Sequence, residues 1–385
     1  MLRNVSSVLL LSIVPLFFNA NCLKLDLNPG RNLPLLLSAN RPIIPTVYLF
    51  LDGSGLNAAN GLLRMKPSAL SDGDAEFVRF NNGPSNIDEA AVVDGVIYAI
   101  EADSSNILWI SRNRGRDWTS FEPPDDNEDE DLSRVLGCEG AVVIAYDSFS
   151  IESEGDHPAY ASYDDGRSFQ KFYAPGTESL TIQGMDCHSG NLYVASNQGQ
   201  HLIWSSVQTP GQFTLAASHS STYETYEGLI AGDDASIGVA EMNGDNYLNY
   251  SLNYGKDMQY SGQFPVNYRF EPSGADGGAD FGANYTYISM ADTLNTQCRI
   301  YKFANGQTPP SDAPYAQPSC EEVLELGGIP ALLAVKEGVL VSYRSSDATD
   351  GGLLLSIDGG LSYQGMGLDQ IWAGPGYVSD MAATN

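Results

Sequence analysis

Seven apolar segments of this chain each run out into side chains that carry oxygen or charge. TVYLFLD (46–52) ends on Asp52, and GVIYAIE (95–101) ends on Glu101, with Asp103 just beyond. GAVVIAYD (140–147) ends on Asp147, GNLYVAS (190–196) is followed by Asn197, and ASIGVAE (235–241) ends on Glu241. GANYTYIS (282–289) is followed by Asp292, and GVLVSYR (338–344) ends on Arg344, with Asp347 close behind. If the seven segments are equivalent elements of one fold, these side chains gather at one level. Carboxylates at one level repel one another, which favours a bound cation, a basic partner or a carboxyl held protonated. A pair ~5–9.5 Å apart, with one member protonated, is the machinery of glycoside hydrolysis. The run DDNEDED (125–131) adds Asp125, Asp126 and Asp129, oxygen ligands of the kind Ca²⁺ takes. Such a run is also what a solvated loop looks like.

The segments themselves must do the positioning. Their near-continuous Val, Ile, Leu, Tyr and Ala content is what a strand buried on both faces requires. Their starts recur at a mean spacing near 49 residues, and no amphipathic helical stretch interrupts them. A second signal runs in phase. Ser111-Arg112-Asn113-Arg114-Gly115-Arg116-Asp117-Trp118 returns as Ser162-Tyr163-Asp164-Asp165-Gly166-Arg167-Ser168-Phe169. Further copies are Ser251-Leu252-Asn253-Tyr254-Gly255-Lys256-Asp257-Met258 and Ser356-Ile357-Asp358-Gly359-Gly360-Leu361-Ser362-Tyr363, with a decayed one at Ser206 to Phe213. Each copy lies between β-rich stretches and has hairpin-turn chemistry: an Asp or Asn that accepts local N–H bonds, a Gly for positive φ, and an aromatic plug. Four-stranded units at this period stack radially and bury both faces. The expectation is an all-β chain forming a single propeller of seven blades, with six as the alternative.

The eight-residue pattern resembles the Asp box, or bacterial neuraminidase repeat, of sialidases, sortilin-type receptor propellers, some β-glucan hydrolases and photosystem assembly factors. The resemblance implies that the turns join the third and fourth strands of each blade, and that ligands bind on the opposite face, around the axis. It implies a fold rather than an activity. The family's sialidases use an arginine cluster, a Tyr activated by Glu, and an Arg-Ile-Pro motif. Here Arg41-Pro42-Ile43-Ile44-Pro45 breaks that motif, and Arg112, Arg114, Arg116 and Arg167 fall inside the turns. Arg134, Arg269 and Arg344 could converge, and TYETYEG supplies Tyr223, Glu224, Tyr226 and Glu227, yet an acidic mouth repels an anionic sugar. A neutral-glycan hydrolase needs only two carboxylates, but no pair stands out among the many. Tyr146, Tyr223, Tyr226 and Tyr268 could serve as sugar platforms. His157, His188, His201 and His219 lack zinc-site spacing, and there is no G-x-S-x-G elbow or phosphate loop. A binding module for glycan or extracellular protein is the reading that asks least of these residues, with glycoside hydrolase as the alternative.

Composition narrows the partners. The first 22 residues, with Arg3, an apolar run from Val8 to Phe18 and Ala20 near the end, read as a signal peptide. The apolar run is too short for the ~20 residues of a spanning helix. A segment at 23–45 would lead into a propeller at 46–385. Cleavage after Cys22 leaves 18 basic side chains against 48 acidic ones, a formal charge of −30. That field disfavours nucleic acid and anionic lipid, leaving neutral or cationic partners for a secreted, monomeric chain. Cys138, Cys187, Cys298 and Cys320 make an even count, read as two disulfides. Cys138 and Cys187 fall at equivalent corners of adjacent units, so they should pair; Cys298 and Cys320 would then form the second bridge. Asn249 and Asn284 open glycosylation sequons.

Overall fold

The computed structural model describes Thr46, the strands named below, and the turns and linkers at residues 80–85, 94–95, 106–107, 112–118, 122–124, 139–140, 163–169, 190, 358 and 360–363. Residues 1–45, holding the expected signal peptide and lead-in segment, lie outside the described residues. Every described element is a strand, and the strands fall into seven antiparallel sheets.

Sheet 1 holds β1 (Val47–Asp52), β2 (Gly61–Met65) and β3 (Glu76–Arg79), and its first place is taken by the last strand of the chain, β30 (Tyr377–Ala383). Sheet 2 is β4 (Ile87–Val93), β5 (Val96–Glu101), β6 (Leu108–Ser111) and β7 (Thr119–Phe121). Sheet 3 is β8 (Leu132–Cys138), β9 (Ala141–Tyr146), β11 (Ala159–Ser162) and β12 (Gln170–Phe172). Sheet 4 is β13 (Leu180–His188), β14 (Asn191–Ser196), β15 (His201–Ser206) and β16 (Thr214–Ser218), with the two-residue β10 (Ser148–Phe149) added to β13. Sheet 5 is β17 (Glu224–Gly232), β18 (Ala235–Met242), β19 (Asp245–Ser251) and β20 (Gln259–Gln263). In sheet 6, β21 (Tyr268–Arg269) and β22 (Ala279–Phe281) lie along one edge of β23 (Tyr285–Asp292), and β24 (Gln297–Ala304) along the other. In sheet 7, β25 (Leu326–Gly328) and β26 (Leu332–Val335) share the first place beside β27 (Gly338–Ser345), followed by β28 (Gly351–Ser356) and β29 (Gln364–Gly367).

The first strands touch in sequence, β4 to β8, β8 to β13, β13 to β17, β17 to β22, β22 to β26, β26 to β30, and β30 back to β4. The sheets therefore form a closed ring, sealed where β30 pairs with β1. Radial repetition of this kind leaves only short sheet edges, which limits edge-to-edge aggregation.

The apolar segments are the second strands, and their alternation explains why they read as continuous apolar runs. Val47, Leu49 and Leu51 pack toward sheet 7 with Leu353 and Leu355. Tyr48 and Phe50 pack toward sheet 2 with Ile97 and Ala99. In turn Val96, Tyr98 and Ile100 face Val142, Ile144 and Tyr146 of sheet 3, whose Ala141, Val143 and Ala145 face Leu192 and Val194 of sheet 4. Each strand supplies both faces of the ring's core, so no position is left for the polar half of an ordinary amphipathic strand. The sixth segment begins at Tyr285, three residues after the start expected from sequence.

In sheets 1, 2, 3, 4, 5 and 7 the register of first against second strand slips by one residue near the end of the second strand. The repeated β-bulge bends the inner strand, at one level in sheets 2, 3 and 5 and one or two residues further along in sheets 4 and 7. Cys138 and Cys187, at the ends of β8 and β13, form a disulfide across sheets 3 and 4, Cα atoms 5.4 Å apart. Of the second expected bridge, Cys298 is described only as backbone in β24, and Cys320 lies outside the described residues.

Candidate functional site

Each sheet has two ends of different character. At one end the third strand turns into the fourth; at the other the second strand finishes. Antiparallel pairing puts these at opposite ends of the same sheet.

The turn end is tied to the backbone. Ser111, Ser162 and Ser356 close the third strands of sheets 2, 3 and 7 and are buried. Their hydroxyls accept from the N–H groups of Gly115, Gly166 and Gly360 at 2.8, 3.0 and 2.7 Å. Each also donates to the side-chain oxygen two residues on, in Asn113, Asp164 or Asp358. That oxygen in turn accepts the N–H of Asp117, Ser168 or Ser362. The polarity of the last pair varies. Asp164 and Asp358 accept a hydroxyl bond from Ser168 and Ser362 at 2.7 and 2.6 Å, whereas Asn113 donates its amide to Asp117 at 2.6 Å. The Ser168 and Ser362 bonds hold Asp164 and Asp358 at about 2, and amide bonds from Asn81 and then Asn113 lower Asp117.

The same turns glue each sheet to the one before. A Cβ on Gly115 would stand 2.8 Å from Leu62, and one on Gly166 2.8 Å from Ile110, while both glycines have φ near +90° or +70°. Trp118 meets Phe80 edge-on at 4.9 Å, and Phe169 stacks on Phe121 of β7 at 4.1 Å. Arg112 reaches from sheet 2 to the Asp165 carbonyl in sheet 3. The motif's Ser, Asp and Gly are thus spent on architecture. Ser251 is described only as backbone, and Asn253 and Gly255 lie outside the described residues; Gly360 and Tyr363 belong to the sheet 7 turn.

At the other end, Asp52, Glu241, Asp292 and Arg344 occupy the last or penultimate places of β1, β18, β23 and β27 and are described there as backbone. Asp103, Asp147, Asn197 and Asp347, and the acidic run with Asp125, Asp126 and Asp129, lie outside the described residues. Glu101 is described in full. Ile97, Val142 and Ser236 stand opposite the turn serines Ser111, Ser162 and Ser251. Counted from there, Glu101 is level with Tyr146 and Ala240, one residue short of Glu241, and the bulges place it at the same level. Successive residues of a strand face opposite sides of the sheet, so Glu101 and Glu241 belong to opposite faces of their sheets. Glu101 is also engaged: one oxygen accepts from the Ser85 N–H at 2.6 Å and from the Ser85 hydroxyl, the other from Trp109 Nε1 at 3.0 Å.

Two carboxylates that sequence reasoning passed over lie deeper, immediately after the bulges on the inner strands. Asp380 of β30 accepts the Ala90 N–H of β4 at 2.6 Å, and Glu89 of β4 accepts the Val135 N–H of β8 at 3.0 Å. Arg134, the residue after the bulge in β8, lies 3.6 Å from the other Glu89 oxygen. Each latch carries the backbone of one sheet onto the next, and both acids are buried. In IDEAAVV nothing distinguishes Glu89 from the exposed Asp88 before it until the bulge is known.

No protein-family profile matches this sequence, and no curated protein does. Among solved structures it is similar to "YCF48 bound to D1 peptide", with TM-score 0.53 and 12% identity over 74% of this chain and 81% of that one. It also matches a GH74 xyloglucanase from Xanthomonas campestris (TM-score 0.47, 15% identity) and a GH74 enzyme from Niastella koreensis (0.47, 13%), covering 73% of this chain and 45% of each of theirs. At such identities a likeness speaks for fold alone, and the first joins the closed ring of four-stranded sheets in deciding it. The chain is a β-propeller. Within the propeller, the described turns of sheets 2 and 3 brace neighbouring sheets.

Proposed function

We propose that this chain is a secreted, seven-bladed Asp-box propeller that binds a glycan or an extracellular protein at the end where the second strands finish. The closed ring of seven sheets supports the blade count, and the shared hydrogen-bond network of the three described turns supports the Asp-box reading. The Cys138–Cys187 bond supports an oxidising compartment. The observation that carries recognition over catalysis is Glu101. Both of its oxygens accept bonds from the chain's own Ser85 and Trp109, so this strand-end carboxylate is held by the fold rather than left open to exchange a proton with a substrate. YCF48, seen with a D1 peptide, supports a protein as the partner class. With a formal charge of −29 on the whole chain, the favoured partner for this end is neutral or cationic. Purified mature chain applied to a glycan array and to a panel of fluorogenic glycosides, sialosides included, tests this. Binding without turnover is the expected result; robust hydrolysis of any glycoside overturns it. Thermal melting with and without chelator tests Ca²⁺ at the acidic run, and an unchanged melting temperature removes the metal from the reading.

A further inference from the structure

One turn departs from the others in charge. The stretch Ser111–Trp118 carries Arg112, Arg114 and Arg116 against the single acid Asp117, in a chain where acids outnumber bases 48 to 19. The three cations are not equivalent. Arg112 is used internally, bonded to the Asp165 carbonyl and to Thr119. Arg114 and Arg116 are exposed, and among the described residues neither guanidinium has a hydrogen bond or an ion pair. The single acid of the turn is already engaged, since Asp117 accepts amide bonds from Asn81 and Asn113.

Arg114 also sits where an arginine is costly. Its φ is +65°, the same place in the sheet 3 turn is held by Asp165 at +60°, and the sequence copy at 356–363 has Gly359 at that motif position. Left-handed backbone costs an L residue about 1–2 kcal/mol, with Gly, Asn and Asp the usual occupants. A long cation retained at a strained, exposed position points to something the folded chain alone does not use.

We propose that the Arg114–Arg116 edge of this turn is a docking site for a short acidic peptide segment, gripped through its carboxylates. Guanidinium forks match carboxylates in bidentate geometry, and both unpartnered cations here are arginines. A sugar would call for an aromatic platform, but the neighbouring rings, Trp118 and Phe80, are buried against each other. A long polyanion would meet the field of the whole acidic chain, whereas a few carboxylates within a Debye length meet mainly the patch. This surface belongs to the turns, not to the opposite end proposed above, and calls for a partner of opposite charge.

The test uses the mature chain and a fluorescein-labelled hexaglutamate peptide, read by anisotropy at about 0.15 M ionic strength, where the Debye length is about 8 Å. Arg114→Gly, Arg116→Gln and their combination are compared with Lys171→Gln, which removes the same charge from an exposed place on β12. The parent should bind, the double variant should lose about tenfold in affinity and the control less than about twofold, as for two charge-assisted contacts at a solvated surface. Arg114→Gly should melt at or above the parent temperature, because Gly suits the φ of that position. That outcome separates lost binding from lost fold, and Arg116→Gln does so without touching the backbone. The proposal is overturned by a parent that does not bind, or by equal losses in control and double variant. It is also overturned if a sulfated hexasaccharide binds more tightly than the peptide and loses the same affinity in the double variant.

Discussion

In the turn at Ser162–Phe169 each signature residue answers a demand of the chain itself: the Ser hydroxyl takes the Gly166 N–H, Asp164 takes the Ser168 N–H, and Gly166 presses on Ile110. Glu101, at the far end of the neighbouring sheet, accepts from Ser85 and Trp109, and the same level in sheets 3 and 5 is held by Tyr146 and Ala240. The difference teaches where a propeller keeps freedom. The turn residues repeat from copy to copy because each completes the backbone, whereas the level of Glu101 holds Glu, Tyr and Ala in three sheets, and a ligand-binding end is more readily made from places that differ in this way. The disulfide sits with the constrained set, because Cys138 and Cys187 end first strands at the hairpins nearest the turns. Breaking it should give the largest effect. With a sequence separation of 49, the chain-entropy model assigns the bridge about 4 kcal/mol. Cys138→Ser with Cys187→Ser should lose most of that in urea unfolding, and reductant should lower the parent's midpoint by more than the variant's.

Next comes the latch between sheets 2 and 3, which sharpens the comparison because Glu89 lies toward the far end yet is tied to backbone. Glu89→Ala leaves the Val135 N–H without its carboxylate and Arg134 without its counter-charge. Removing one partner of a buried pair costs about 3 kcal/mol. A loss under about 1 kcal/mol in the same unfolding assay would mean that water replaces the carboxylate, and that inner-strand acids are as replaceable as strand-end ones.

Glycines separate two costs within the turn end. Gly166 and Gly95 both have positive φ, +70° and +80°, but a Cβ at Gly95 meets nothing within 4 Å. Gly95→Ala should therefore cost only the backbone penalty of about 1 kcal/mol, while Gly166→Ala adds a clash with Ile110 and Tyr98 and should cost about 2–3 kcal/mol. Equal losses would show that the turn gives way and that its seat on sheet 2 is not close-packed.

What could be read from sequence follows the same division. The second strands were legible because burial on both faces leaves an apolar run that few other elements produce. Seven apolar runs were expected, and the segments at 46–52, 95–101 and 140–147 fall on Val47–Asp52, Val96–Glu101 and Ala141–Tyr146. The turns were legible because Ser, Asp and Gly at fixed offsets each meet a backbone need. The level of Glu101 was not, since it depends on register and on a one-residue bulge that no side chain announces. Glu89 and Asp380 were missed for a related reason: a carboxylate in a strand reads as the solvent face of an alternation, and only the neighbouring sheet shows that it accepts an N–H there.

A smaller effect tests the polarity of the turns. Asn113 donates to Asp117, whereas Asp164 and Asp358 accept from serines. Asn113→Asp would set two carboxylates against each other and lower the melting temperature at neutral pH, and adding Asp117→Ser should restore it by recreating the Asp–Ser pair. The native acids make the complementary case. Asp164 and Asp358 lie at about 2, below the usual 3.8. Their contribution is therefore complete above about pH 4 and is lost as the pH falls through 2. The gap in melting temperature between parent and an Asp164→Asn, Asp358→Asn variant should close over that window. A gap that persists at pH 2 would show that the hydrogen bonds, not the charges, stabilise these turns.

The smallest change is expected at Glu101. Glu101→Gln keeps one carbonyl oxygen for the Ser85 N–H and loses the charge that strengthens it, and the amide can no longer serve Ser85 and Trp109 alike as an acceptor. A partly solvated site lets water take up the abandoned indole N–H, so the loss should stay below about 1 kcal/mol. Trp109 fluorescence should shift, because its Nε1 partner changes, while the unfolding midpoint barely moves. A loss as large as that of Gly166→Ala would break the comparison: the far end would then serve architecture as fully as the turns do, and the binding surface would have to be sought on the loops beyond the strand ends.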